Sequence, residues 1–197
     1  GTEKFSHFTS LNYEKAEGVQ RGNDFEKIAG RTNIRQSLLE GWVDVDVNLF
    51  ITHRKYNPSN TSAFQQAFIH NPTEPVYDPS NSTSGGYYRI EAMEYYNPVA
   101  MINERTSTTV NDNFGGNARV TLNIKPVKGL KWDAFLALSR ESNESKTYST
   151  HYYPSIIGTD GSAEISNYKN NDTQFETTLN YILSLIHISE PTRRVVI

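Results

Sequence analysis

The chain has 197 residues, enough for one domain with a sizeable core, and carries 19 basic against 22 acidic side chains for a net charge of −3. No basic block matches a nucleic-acid footprint, and the absence of cysteine excludes a disulfide framework, a zinc knuckle and a cysteine nucleophile. No stretch approaches the roughly 20 apolar residues of a membrane-spanning helix, but a membrane barrel exposes only alternate residues to lipid and stays half polar, so two all-β classes remain open.

In chain order, Phe5 to Glu17 alternates loosely through Leu11 and Tyr13, and Asp24 to Gln36 alternates through Ile28, Thr32 and Ile34. A short turn, Leu38 to Gly41, leads to the clearest segment, WVDVDVNLFITHR from Trp42 to Arg54. There Val43, Val45, Val47, Leu49 and Ile51 share one face, with Asp44, Asp46, Asn48 and Thr52 on the other. Such period-two alternation predicts a strand with one apolar and one wet face. Phe50 interrupts the polar row and is expected to face inward.

The stretch from Lys55 to Asp112 reads as one very long connection, rich in turn punctuation such as Asn57-Pro58, Asp78-Pro79 and Gly85-Gly86. Within it, Ser62 to His70 predicts a short helix capped by Ser62, with Phe64, Ala67 and Phe68 on one face. Two more alternating runs follow, Asn117 to Lys125 and Leu130 to Arg140, joined by Pro126-Val127-Lys128-Gly129 as a hairpin. Gly115-Gly116 predicts a strand bend or bulge. A second long connection spans Asn143 to Asn171, and a last strand, Thr173 to Ile182, aligns Phe175, Thr177, Leu179 and Tyr181. The result is about six strands of membrane-crossing length, with short turns at one end and long loops at the other, as in outer-membrane barrels.

Four pieces carry a family resemblance: NYEKAEGV (Asn12–Val19), HNPTEPVYD (His70–Asp78), YYNPVAMINERTS (Tyr95–Ser107) and NFGGNARVTLNIKPVKGLKW (Asn113–Trp132). In order and spacing they resemble the SusC/RagA class of TonB-dependent outer-membrane transporters, from about Phe5 to Tyr181. The resemblance implies an all-β fold: an antiparallel transmembrane β-barrel fragment, an open curved sheet with one long extracellular loop containing a short helix. Members form plugged barrels of about 22 strands. It further implies import of oligosaccharides or peptides, energy delivered through the TonB complex, a SusD-like surface lipoprotein as lid, and an integral place in the outer membrane of a Gram-negative bacterium. No cofactor and no enzymatic activity are implied.

Signal peptide, plug and TonB-contacting segment are not visible, so residues 1–182 are expected to be an internal piece of barrel wall. Residues 183–197 are expected to be non-native, because Leu183 to Arg193, LSLIHISEPTR, resembles a translated sequencing adapter.

Chemistry-bearing motifs are sparse. No nucleophile elbow, phosphate-binding glycine loop or H-E-x-x-H pair occurs, and His7, His53, His70 and His151 lack ligand spacing. Asp160-Gly161 marks a turn; Glu91, Glu94 and Glu104 read as solvated loop charges, and Asp44 and Asp46 as wet-face residues. The aromatic clusters stand out: Tyr77, Tyr87, Tyr88, Tyr95 and Tyr96 in the long loop, Tyr152 and Tyr153 in the next. Rings with an apolar face and a polar tip suit stacking on a sugar or docking a lid, and equally suit an interfacial girdle or packing within a folded loop. The competing architecture is a soluble β-sandwich that binds carbohydrate, which requires the apolar faces Val43–Ile51 and Leu130–Leu138 to pack together in a dry core.

Overall fold

A computed structural model describes residue 2, residues 4–89 and residues 95–182. Glu91, Glu94 and the adapter-like tail fall outside these residues. Six strands form one antiparallel sheet in sequence order: β1 (Phe5–Glu17), β2 (Asp24–Leu38), β3 (Val43–Tyr56), β4 (Arg105–Asn123), β5 (Leu130–Ser149) and β6 (Ser162–Tyr181). Each pairs only with its chain neighbours, so the sheet is open, with β1 and β6 at its edges.

Several bounds differ from those the sequence predicts. β4 begins at Arg105 rather than Asn117, β5 runs on to Ser149, and β6 begins at Ser162 rather than Thr173. The two long connections shrink to residues 57–104 and 150–161. The added strand carries mostly polar side chains on both faces (RTSTTVNDN opens β4), so it lacks the alternation by which a strand is recognised. The short reversals, residues 39–42 and 124–129, lie at one end of the sheet. The two long connections lie at the other end, beside the hairpin loop 18–23.

Register fixes the faces, because directly paired residues project to the same side. One line across β2 to β6 reads Ile34, Val47, Ala118, Leu136, Phe175, and the line below the next reads Leu38, Val43, Leu122, Trp132, Leu179. The other side carries Arg35, Asp46, Arg119, Phe135 and Glu176 in one line, and Asn33, Asn48, Asn117, Ala137 and Gln174 in the next. Phe50 lies on this polar side, as expected.

This arrangement overturns the sandwich. The described residues form a single sheet, and its apolar side faces outward: Leu11, Ile51, Leu138, Phe175 and Leu179 are all half or more exposed. The buried apolar side chains, Ala63, Tyr87, Ala100, Met101 and Tyr153, all belong to the connections at the loop end.

The apolar side is a band with two margins. Going toward the loop end, and leaving aside His7, which is hydrogen-bonded within the band, the last apolar residue before the first ionisable one is Tyr13 on β1, Ile28 on β2, Ile51 on β3, Phe114 on β4, Leu138 on β5 and Phe175 on β6. Against the register these drop by three lines from β1 to β6. That is a fall of about 20 Å over about 24 Å of sheet width, a strand tilt of ~40°. The tilt of transmembrane barrel strands is about 35–45°, and the run Val43–Ile51 at this slope stands roughly 20–25 Å high, near the ~25 Å of a lipid-facing band. On β1 and β2, polar groups inside the band satisfy one another: Thr9 Oγ1 lies 2.7 Å from His7 Nε2 and 2.8 Å from Thr32 Oγ1. Aromatic rings stand at both margins, Trp132 and Tyr181 by the short turns, Tyr13 and Phe114 toward the loops.

Gly115 and Gly116 form no bulge, since β3 and β4 stay in unbroken register through Phe50↔Gly115 and Leu49↔Gly116. They make room on both faces. A Cβ on Gly115 would sit 2.6 Å from the Leu138 carbonyl oxygen and 2.8 Å from the Phe50 ring, and one on Gly116 2.4 Å from the Asn48 carbonyl oxygen.

The facing assignment yields a test. In the full-length protein refolded into bilayers, Leu136→Arg should lower unfolding free energy by about 2–4 kcal/mol. Ala137→Arg, one residue along on the polar side, should cost well under half as much. Equal losses in denaturant titration would refute the assignment.

Candidate functional site

Residues 57–104 fold into a compact cap at the loop end rather than a trailing loop. Its first helix, α1 (Thr61–Ile69), starts at Asn60, whose side chain accepts from the Ala63 amide at 3.2 Å. Asn60, not the expected Ser62, is therefore the cap. Ala63 is buried, while Phe64 and Phe68 stand 54% and 92% exposed. The expected face exists, but it points away from the cap's core. A second helix, α2 (Pro98–Asn103), starts at Asn97 with proline in its first turn. Ala63, Met101 and Tyr153 make a small core, with Tyr96, Ile102 and Ile156 packed on it.

Buried amides hold the cap's irregular backbone. Asn97 donates from Nδ2 to the carbonyls of Val76 (2.7 Å) and Tyr88 (3.2 Å), while its Oδ1 accepts from the amides of Val99 and Ala100. Gln20, in the hairpin loop 18–23, exchanges two bonds with the Asn60 backbone, accepting from its amide at 2.7 Å and donating to its carbonyl at 3.2 Å. A buried backbone needs such partners, and one side-chain amide supplies donor and acceptor together.

Glu104 is the joint between the connections. It accepts from Tyr87 Oη at 3.0 Å and from Thr150 Oγ1 at 2.6 Å, and its carbonyl accepts from the Thr150 amide at 2.9 Å. This corrects the reading of Glu104 as a solvated loop charge. Burial pushes the Tyr87 phenol above its ordinary range; the bond donated by Asn103 opposes the rise and the neighbouring Glu104 adds to it. The Tyr88 phenol is also raised, first through its hydrogen bond with Glu74.

Five of the seven tyrosines, Tyr87, Tyr88, Tyr95, Tyr96 and Tyr152, meet around one crevice of only about 20 Å³, room for about a single water. They fill the cap themselves. Tyr153 is buried beneath them with Arg105 over its ring at 5.6 Å. Tyr77 alone is well exposed, at 59%, with its ring 5.7 Å from that of Tyr87. The sequence shows these residues as two loop clusters but does not separate packing rings from the one offered to solvent. It also missed Gln20, Asn60 and Asn97, whose only signal is an Asn ahead of Pro98 and of the α1 run.

Below the cap, the polar side of the sheet is a network. Arg35 Nε donates to Asp46 at 2.5 Å, Asn48 to Asn117 at 2.8 Å and Asn111 to Glu141 at 2.9 Å, and Arg119 lies 5.3 Å over the Phe135 ring. Asp46 is thus a wet-face residue with a fixed partner. Around Arg35 and Arg119 the sheet holds a hollow of about 550 Å³, and a second of about 460 Å³ opens beneath the cap beside Arg21 and Arg105. Among the described residues no cluster of His, Asp or Glu has the geometry of a metal site.

A tilted, one-sided apolar band with a hydrogen-bonded polar reverse defines a piece of transmembrane β-barrel wall. Comparisons with known proteins agree. The TonB-dependent receptor P26 of Formosa agariphila is 23% identical over 185 residues, which cover 91% of this chain and 18% of the receptor. The RagAB peptide transporter shares the fold at a TM-score of 0.70 with 18% identity, covering 94% of this chain and 21% of that one. The RagAB peptide importer in its 'open-open' state gives a TM-score of 0.67 with 17% identity, covering 95% and 21%. The chain spans about a fifth of the length of these relatives. No family model matches it. The likeness to a SusC/RagA-type TonB-dependent transporter, carried in the sequence by four motifs, therefore holds over nearly the whole chain.

Glu104→Ala should leave the Tyr87 hydroxyl without its acceptor and loosen the cap by about 1–3 kcal/mol, read as faster hydrogen exchange of amides 76–104. A raised phenol pKa favours the neutral form in the folded cap. Its contribution is complete below the ordinary tyrosine value of about 10 and is lost as pH climbs through the raised one. Tyr87→Phe should weaken that alkaline loosening, leaving the part due to Tyr88; an unchanged pH dependence would assign it elsewhere.

Proposed function

We propose that this chain is a wall segment of an outer-membrane active transporter that imports oligosaccharides or peptides in a Gram-negative bacterium. The observation that carries the reading is the sloping apolar band. A sheet whose one side is apolar over the height of a bilayer core, with every interior strand paired on both sides, suits lipid and not water. In the complete barrel, further strands would pair with the edges of β1 and β6, and the polar side would line the lumen. There Asn48, Asn117 and Arg119 offer the mixed donors and acceptors that sugars and peptide backbones both use.

Energy would reach the transporter through the TonB complex acting on a plug outside this segment, and a SusD-like surface lipoprotein would close the loop end. The cap at residues 57–104 is the part of this chain placed to meet that lid or the cargo. Its exposed aromatic groups, Tyr77, Phe64 and Phe68, are the contact residues, while Tyr87, Tyr88, Tyr95, Tyr96, Tyr152 and Tyr153 serve by holding the cap in shape. On this reading, residues 183–197 are foreign to the barrel.

Replacing residues 57–104 by a short turn in the full-length transporter should leave a heat-resistant barrel, since strand pairing does not involve the cap. Lid co-purification and substrate uptake should each fall at least tenfold. Retention of both by a correctly inserted barrel would remove the cap from the transport mechanism.

A further inference from the structure

We propose that the outward side of β5 and β6, just past the apolar band, holds the phosphate of an anionic outer-leaflet glycolipid between Arg140 and Lys169. The inference rests on the barrel reading, because it places these residues at headgroup height. Following the margin across the sheet, the first outward ionisable group beyond it has a counterpart on β1 to β4 but not on β5 or β6. On β1 and β2, Lys15 stands directly opposite Glu26. Between β3 and β4, His53 Nδ1 and Asp112 Oδ1 are 2.6 Å apart. On β5 and β6, Arg140 and Lys169 have no side-chain hydrogen bond or ion pair among the described residues. The acidic groups nearest in register are Asp112, diagonal to Arg140 and engaged by His53, and Glu144, diagonal to Lys169 and engaged by Lys146 at 2.6 Å.

The local geometry suits a phosphate. Register pairs Arg140 with Asn171 and Ser142 with Lys169, so the two cations occupy diagonal corners of a square. Diagonal positions on adjacent strands lie about 7–8 Å apart, a span two long side chains close around one tetrahedral anion. Arginine presents a planar fork that binds two phosphate oxygens at once, lysine adds a point charge, and Ser142 and Asn171 offer neutral donors for the remaining oxygens. All four border a hollow of about 470 Å³ that also reaches Ile51 and Phe114 at the edge of the band, and two carboxylates already held by other partners, Asp112 by His53 and Glu141 by Asn111. An anion seated there would have its acyl chains directly over Leu138 and Phe175. Continuity with an apolar surface separates a lipid from a free anion or an acidic peptide as the occupant. An unneutralised arginine bordering lipid is also unfavourable, increasingly so with depth, and a bound phosphate offsets that cost.

Native mass spectrometry of the full-length transporter in detergent, titrated with bis-phosphorylated lipid A, reads this directly. Wild type should retain lipid A, and Arg140→Gln/Lys169→Gln should weaken retention at least tenfold, with Lys55→Gln unchanged. Dephosphorylated lipid A should bind wild type at least tenfold more weakly, a comparison that decides the matter even if the double variant fails to form a barrel. Equal binding of the two lipid A forms, equal binding by a folded double variant, or displacement by millimolar inorganic phosphate would each overturn the assignment. Failure of wild type itself to form a heat-resistant, membrane-inserted barrel would instead bring down the transporter reading beneath it.

Discussion

The unbroken antiparallel ladder governs everything else in this molecule. Backbone amides and carbonyls have no solvent partner in a hydrocarbon layer, so a wall can stand there only if each strand satisfies its neighbours along its whole length. The ladder from β1 to β6 does so without a bulge, even through Gly115 and Gly116, where an extra residue is commonly inserted. Because the register never slips, the side chains stay sorted. One slip of a single residue would exchange the two faces of a strand, placing Asp44 and Asp46 against lipid and Val45 and Val47 against water. The glycine pair preserves the ladder by yielding space to Phe50 and Leu49.

From that sorting follows a division of labour along the height of the sheet. Within the band, two unlike solvents act on the two sides, and the amino-acid pattern alternates. Beyond it both sides are mostly polar, with only scattered apolar groups such as Tyr148 and Ile165. β5, at 20 residues, is about 66 Å long, far more than a lipid layer requires. The surplus raises the cap well clear of the lipid and carries the hydrogen-bonded polar face up to it. The cap in turn holds the apolar core that the sheet lacks, so the cohesive energy of the segment sits in two places: backbone pairing in the wall, and side-chain burial at the rim.

This division also explains what could be read in the sequence. The stretches Val43–Ile51, Ala118–Leu122 and Leu130–Leu138 were legible because contrast between two environments writes a period of two into the chain. Arg105–Asn113 and Ser162–Asn171 were not, because a strand with polar residues on both sides writes none, and polar turns share its composition. The cap posed a different problem. Its tyrosines are visible as a group, yet whether a ring is buried depends on how the two connections fold together, which the side chains of Asn97 and Glu104 hold and no periodic run announces. Glu104 was illegible for a related reason: its partners, Tyr87 and Thr150, come from opposite sides of it in the chain and meet only once β4 and β5 are paired.

That last dependence bears on the order of assembly. Thr150 reaches Glu104 across the whole β4–β5 hairpin, so this clasp cannot close while the hairpin is open. The final joint of residues 57–104 therefore depends on β5 being in place. The rim thus matures after the wall beneath it, and a half-built barrel would present an unlatched cap.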